Sequence, residues 1–328
     1  MFLKSLILYE GTHMSTDAST DPVIVATARS PIGRAFKGSM AEIRPDDLSA
    51  QIVNRVLEKV PELPTEEIED LIMGTGSPGG EQGFNIGRAT AVLAGLGDVP
   101  GTTVNRYCSS SLQTIRMAAH AIKAGEGDAF IAAGVECVSR YGKGNADSLP
   151  DTANPIFKGP GERSKVRAEG GHGDWTPPDG LPDLFIAMGQ TAENVAELKG
   201  VSREAMDEYG VMSQNKAEAA ISRGFFEMDI TPVTMPDGTV VTTDDGPRAG
   251  VTLDAVSQLN PVFRPDGRVT AGNACPLNDG AAAVVVMSRK RAEELGITPL
   301  ARIIASSVSA LNPEIMGLGP IEAIKRVM

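Results

Sequence analysis

Few residues in this chain could do chemistry, and one stretch concentrates them: NRYCSSSLQ at residues 105–113. Its cysteine, Cys108, lies between an extended segment, TTVN (102–105), and a long helical pattern at 109–124. A helix N-terminus aims unpaired N–H groups and positive potential at the residue placed there. For a thiol this favours the reactive thiolate. The same N–H groups can stabilise an oxyanion on a carbonyl that the sulfur attacks. The serines after the cysteine suit a first helical turn, where hydroxyls satisfy free N–H groups. Leu112, Ile115, Ala119 and Ile122 fall on one face and would anchor the helix. Position alone leaves a small buried core thiol as the alternative.

The remaining candidates carry less. GTGSPGG (74–80) fits G-x-G-x-x-G at Gly74, Gly76 and Gly79. A dinucleotide fold needs a helix opening at the third glycine. Here Pro78, Gly80 and Gly83 prolong the loop, and no second strand delivers the acidic Asp98, so a glycine-rich connection is the reading. The chain has three cysteines and three histidines, His13, His120 and His172, with no metal-ligand spacing among them. An odd cysteine count at irregular spacing reads as a reducing compartment, not a disulfide framework.

The elements that must hold Cys108 follow from periodicity. PVIVATA (22–28) reads as a buried strand, then Arg29, Ser30 and Pro31 break it. DDLSAQIVNRVLEKV (46–60) puts Leu48, Ile52, Val53, Val56 and Leu57 on one helical stripe. DLIMG (70–74), DAFIAAGVECVS (128–139) and GAAAVVVMS (280–288) read as strands, and 88–96 as a helix. Alternating strands and helices predict an α/β domain with a largely parallel sheet. Between 143 and 277 the chain turns rich in Gly, Pro and charge, with helices expected at 187–198 and 202–223, as a long insertion would be. ARIIASSVS (301–309) reads as a strand opening something new, and the chain ends inside the helical pattern EAIKRVM.

Composition bounds the partners. The chain has 328 residues, 41% hydrophobic and 22% charged, as a globular protein of more than one domain would. A net charge of −12 argues against nucleic acid, which needs a basic face. No stretch approaches a membrane span. The first residues, MFLKSLILYEGTH, are too short for a secretory core, and Met14 reads as the natural start.

Four stretches carry a resemblance. VNRYCSSSLQTIRMAAHAIKAGEGDAFIAAGVECVSR resembles the nucleophile region of thiolases, running from Val-Asn through the cysteine and Leu-Gln to a Gly-x-Glu ahead of Ser. CSSSL alone also resembles β-ketoacyl synthases, relatives with the same doubled fold. ATARSPIGRAFKGSM (26–40), MGQTAENVAELKGVSREAMDEYGVMSQNKAEAA (188–220) and RVTAGNACPLNDGAAAVVVMS (268–288) resemble thiolases and separate the two.

That resemblance, covering about 22–328, implies an α/β thiolase fold. It consists of an N-terminal extension at 1–21, an N-terminal thiolase domain at 22–142 and 278–299, an inserted CoA-binding loop domain at 143–277, and a C-terminal thiolase domain only begun at 300–328. It implies an acyltransferase acting on acyl-CoA and CoA, in thiolysis of 3-ketoacyl-CoA or condensation of acetyl-CoA, within fatty-acid or related metabolism. Cys108 would be the nucleophile that becomes a thioester. Met188, Arg248, Phe263, Ala271 and Cys275 would line the CoA site. No cofactor and no metal are expected, with coenzyme A a substrate. A cytoplasmic homodimer or homotetramer is expected, without nucleic-acid or membrane partners. Two departures stand out: Ala187 where acetyl-specific thiolases often have His, and Cys275 where the family usually has Ser. Cys275 is expected to be a pocket wall and Cys137 a core residue. The family's catalytic histidine, second cysteine and Asn-Glu-Ala-Phe motif belong to the C-terminal half, and the sequence stops before them. The alternative function is a truncated, inactive homologue that at most binds CoA or a partner subunit.

Overall fold

The computed structural model describes residues 20–143 and 152–328. Nearly all of the expected extension at 1–21, and the start of the insertion at 144–151, lie outside the described residues.

Strand β1 (Pro22–Arg29) alternates little and is buried on both faces, as its β-branched run requires. After the short β2 (Gly33–Arg34), helix α1 (Pro45–Glu58) begins on a proline, whose missing N–H costs nothing at a first turn. No side chain caps it; Asp46 and Asp47 in its first turn complement the dipole instead. Leu48, Ile52, Val53 and Val56 are each at most 1% exposed. Each such burial stabilises by roughly 1.5–3 kcal/mol. Then come β3 (Asp70–Gly74), α2 (Ile86–Leu93) and β4 (Gly101–Val104). The cysteine turn leads into α3 (Ser110–Ala124), and β5 (Ala129–Cys137) follows.

The insertion holds α4 (Lys158–Ala168), α5 (Met188–Lys199), α6 (Arg203–Ser222), the two-stranded pair β6 (Val233–Thr234) and β7 (Val240–Val241), and α7 (Leu253–Ser257). The chain returns to the sheet as β8 (Asn278–Ser288), then forms α8 (Arg289–Glu294), β9 (Ala301–Arg302) and α9 (Gly319–Val327).

The main sheet has the order β4-β3-β5-β8-β1-β9, with β2 beside β8. β3 runs parallel to β4 and β5, while β8 is antiparallel to both β5 and β1. Hence β1, β3, β4 and β5 all point the same way, and β8 threads between them reversed. The returning strand β8 and the short β9, also antiparallel to β1, are therefore the departures from a parallel arrangement. One face is covered by α1 and α2 in a large apolar cluster that includes Leu48, Ile52, Met73, Ile86, Ile131 and Val285. The other face holds α3 through Ile72, Ala118, Ile122, Phe130, Ala132 and Val286.

Two expectations need correction. The strand expected at 301–309 forms only Ala301 and Arg302. It pairs antiparallel to Val23 and Ile24, and Ile303 N reaches Pro22 O at 2.9 Å. There β1 itself begins, so the ladder runs out of partner. On α3, Ala119 and Ile122 are buried and Ile115 packs half-buried against the core as expected, but Leu112 does not join them. Leu112 is 63% exposed, while Ser110, Thr114, Ala118, Ala119 and Ile122 are buried. The small polar residues can go under because they are bonded: Thr114 Oγ1 donates to Ser111 O at 2.7 Å.

Candidate active site

Cys108 sits in a one-turn 3-10 segment, Tyr107–Ser109, between β4 and α3. Its thiol is exposed. The turn is an uncommon one. Tyr107 has φ +45°, in the left-handed region that side chains disfavour. Such a residue costs of order 1–3 kcal/mol and persists only where its surroundings hold it.

Those surroundings are glycines and a few polar ties. A Cβ at Gly74 would collide with the backbone of Ser110 and Ser111, and one at Gly134 with Ser111 Cβ. Glycine at the end of β3 and within β5 thus lets the start of α3 rest directly on the sheet. Ser110 Oγ accepts from Arg106 N at 2.8 Å and lies 2.6 Å from Tyr107 O and 3.1 Å from Thr75 O as donor. The serines were expected to cap the helix, but the N-cap residue Ser109 makes no such bond. Ser110 instead staples the turn backward onto itself and β3.

The glycine-rich GTGSPGG opens no helix at its third glycine: Gly79 precedes a 3-10 turn, Gly80–Gln82, and α2 starts at Ile86.

Strand direction brings Cys275 to the same end of the sheet. β8 is reversed, so its start at Asn278 lies beside the C-terminal end of β5, with Cys137 opposite Asp279. Cys275, three residues earlier and exposed, therefore stands at the same end as the Cys108 turn. In open α/β sheets the carboxyl ends of parallel strands are where ligands bind.

Met188 opens α5 and is 53% exposed. A Cβ on its neighbour Gly189 would collide with the Phe263 ring, so the first turn of α5 packs on Phe263. Ala271 is exposed on a turn tied by Asn273, whose Oδ1 accepts from Thr270 N at 2.8 Å and whose Nδ2 donates to Asp207 of α6 at 2.8 Å. Buried Glu193 of α5 accepts from Arg268 N and Val269 N, both at 2.7 Å. Arg248 is exposed; its backbone N donates to Gln214 of α6 at 3.0 Å.

The insertion is clamped to the sheet through β1. Arg29 pairs with Asp244 at 2.8 Å and with Asp229, while Asp245 Oδ2 accepts from Arg34 N and Ser39 N at 2.9 and 2.8 Å. A tie that the sequence did not announce comes from the last segment: buried Glu314 accepts from Trp175 Nε1 and Asp183 N, both at 2.8 Å.

Cys137 is 1% exposed, and burial pushes its thiol well above the ordinary range, with Asp279 and Glu136 adding to the rise. The Asp279 carboxyl is also pushed up by burial, against bonds from Ser139 that pull it down. His172 is exposed with Nε2 2.8 Å from Val166 O, and His120 lies well along α3 from its start. Among the described residues no group of three or more His, Cys, Asp or Glu could hold a metal ion, and no helix is long and apolar enough to cross a membrane. Glu136, Gln82 and Tyr141, which lie behind the cysteine turn, received no role from the sequence.

Known proteins resemble this chain over most of its length. The family pattern for the thiolase N-terminal domain matches residues 22–290. A β-ketoadipyl-CoA thiolase of Acinetobacter baylyi is 41% identical over 320 residues, covering 93% of this chain and 75% of that one. An acetyl-CoA acetyltransferase of Cupriavidus necator is 42% identical over 317 residues, covering 94% and 76%. A 3-ketoacyl-CoA thiolase of Bacillus subtilis is 39% identical over 321 residues, again covering 94% and 76%. The crystal structure of the Bacillus anthracis acetyl-CoA acetyltransferase superposes with a TM-score of 0.76 at 33% identity, covering 93% of this chain and 75% of that one. With the α/β sheet and the cysteine turn at its carboxyl end, these likenesses place the chain in the thiolase family of acyltransferases.

Proposed function

We propose that the chain transfers acyl groups between acyl-CoA and CoA through a thioester on Cys108. The observation that carries the reading is the exposed thiol in a strained turn whose helix is seated on Gly74 of β3 and Gly134 of β5. In the breakdown direction the Cys108 sulfur adds to the 3-keto carbon of a 3-ketoacyl-CoA. The C2–C3 bond breaks, its electron pair takes a proton, and acetyl-CoA leaves. The acyl group stays on sulfur until the CoA thiol attacks the thioester and carries it off as the shortened acyl-CoA. The reverse sequence condenses two acyl-CoA molecules. Splitting one carbon–carbon step into two acyl transfers is the purpose of the covalent intermediate.

Coenzyme A is here a substrate, not a resident cofactor. Met188 and Phe263 would line its pantetheine arm with Ala271 and Cys275, and exposed Arg248 would meet its nucleotide end. The relatives' names differ in acyl part, from acetyl to β-ketoadipyl, so the proposal is 3-ketoacyl-CoA as a class. The setting proposed is cytoplasmic acyl-CoA metabolism, as a homo-oligomer.

The test incubates the full chain with acetoacetyl-CoA, quenches, and maps peptides by mass. One acetyl group on the Cys108 peptide, discharged by free CoA and absent in Cys108→Ala, is the expected result. Acetylation confined to Cys275, or none on any cysteine, would overturn the assignment.

A further inference from the structure

We propose that Glu136 is a positioning residue for Cys108, holding the cysteine turn from behind through Thr75, Gly76 and Asn105. Glu136 is the one carboxylate of β5, a strand otherwise buried from end to end. A carboxylate there is tolerated only if donors meet it, and four do. Gly76 N donates to Oε2 at 2.6 Å. Gln82 Nε2 and the Tyr141 hydroxyl each donate to Oε1 at 2.6 Å, and Thr75 Oγ1 lies at 3.3 Å. A Cβ at Gly76 would come within 2.8 Å of Oε2, so the approach needs glycine.

The front of the same two residues carries the turn. Asn105 Nδ2 donates to Thr75 O at 3.1 Å and to Gly76 O at 2.9 Å. Asn105 Oδ1 accepts from Tyr107 N at 3.2 Å, the residue with φ +45°. Ser110 Oγ, which bonds Thr75 O at 3.1 Å, grips the turn at Arg106 N and Tyr107 O. Both side-chain ties on Tyr107, from Asn105 and from Ser110, therefore stand on Thr75 and Gly76. Glu136 fixes those two residues from the opposite side. Without its second oxygen Gly76 N loses its acceptor, the corner shifts, and Tyr107 relaxes toward an ordinary φ. Cys108, the next residue, then moves off the start of α3. A displacement on the order of 1 Å at a reacting group can cost about 10²-fold in rate.

The inference rests on Cys108 being the reactive thiol, and the test separates the two. In Glu136→Gln, whose amide offers one acceptor where two are used, the saturating rate of Cys108 acetylation by acetyl-CoA should fall about tenfold, with the half-saturating concentration within about twofold. A role confined to stability would leave both unchanged once the folded fraction is corrected for, and that result overturns the proposal. Asn105→Ala should slow the same step, and the double variant should be no slower than the slower single, because both act through one corner. Multiplying effects would overturn it equally. Tyr141→Phe, which removes one donor and leaves Oε1 its bond from Gln82, gives a milder variant if Glu136→Gln does not fold; it should slow Cys108 by about two- to threefold, and no change would refute the proposal. If wild-type Cys108 accepts no acetyl group, the function proposed above fails. The present inference is then read from iodoacetamide labelling of Cys108 against exposed Cys275, a ratio that should drop at least about threefold in Glu136→Gln.

Discussion

Around Cys108, Gly74 brings backbone against backbone, Gly134 makes room for Ser111 Cβ, and Glu136 draws four donors into one point beside Gly76. Around Arg248 the opposite holds: Gly246 has open space where a Cβ would go, and the arginine side chain is exposed. The first region is set by the sheet, with no slack to absorb a methyl group. The second is a surface laid over α6, held mainly by backbone bonds to Gln214 and Glu218. Reaction geometry needs the first kind of construction. Recognition of a long flexible ligand can use the second.

The largest expected effect tests how closed the corner is behind the turn. Cys137 should be alkylated only through opening of the fold, at least about 10³-fold more slowly than Cys108. The same burial predicts a pH signature. Its folded thiol is raised above its unfolded value of about 8.5, so above that pH the unfolded chain releases a proton that the native chain keeps. Stability should therefore fall as pH rises, by up to about 1.4 kcal/mol per unit from this group. Subtracting the slope of Cys137→Ala in urea melts isolates the contribution. Equal slopes would mean that Cys137 is not shielded.

Next in size is the glycine contrast. Gly74→Ala should cost about 1–3 kcal/mol, because the collision is with backbone and not with a side chain that can turn away. Gly246→Ala, in open space and at an ordinary φ, should stay within about 0.5 kcal/mol. Similar losses at the two positions would dissolve the distinction.

These glycines also show what the sequence could carry. The strand–turn–helix setting of Cys108, the α1 stripe and the start of α5 at Met188 follow from local pattern, since periodicity and glycine are local signals. The reversed direction of β8 does not, because a buried run of Ala and Val reads alike in either sense. The exposure of Leu112 on α3 escapes local pattern for a related reason. Leu112 was the larger apolar residue, but burial of Ser110 and Thr114 depends on acceptors at Thr75 and Ala133, far away in sequence. Glu136 lay inside the stretch that carried the family likeness and still received no role. Its donors at Gly76 and Gln82 lie 60 and 54 residues away.

Between the two regions stands the Arg29 clamp. Its guanidinium meets Asp244 and Asp229, with side chains 19%, 11% and 46% exposed. Arg29→Met should cost about 1–2 kcal/mol, reduced from the value for buried charged bonds by solvent screening. The loss should be local. Hydrogen exchange over 229–245 should quicken while β3 and β5 keep their protection. Uniform quickening would mean that insertion and sheet open as one unit.

The smallest effect on stability, and the sharpest on the comparison, is expected at Arg248. Its backbone N is bonded to Gln214, but that bond does not need the side chain. Arg248→Ala should therefore leave the melting transition within about 0.5 kcal/mol of wild type. If the exposed guanidinium meets a phosphate of coenzyme A, its removal deletes a charge-assisted hydrogen bond worth about 1.5–3 kcal/mol. CoA affinity should then weaken roughly ten- to a hundredfold by titration calorimetry. The penalty should shrink as salt rises, since an exposed pair is screened over about 8–10 Å at moderate ionic strength. Arg248→Lys should recover part of the loss, keeping the charge without the planar fork. An unchanged CoA affinity with an intact fold would remove Arg248 from the site and leave Met188, Phe263, Ala271 and Cys275 as the candidate surface. A large drop in melting temperature would instead show that this face is built as tightly as the corner, and the contrast drawn between the two regions would be wrong.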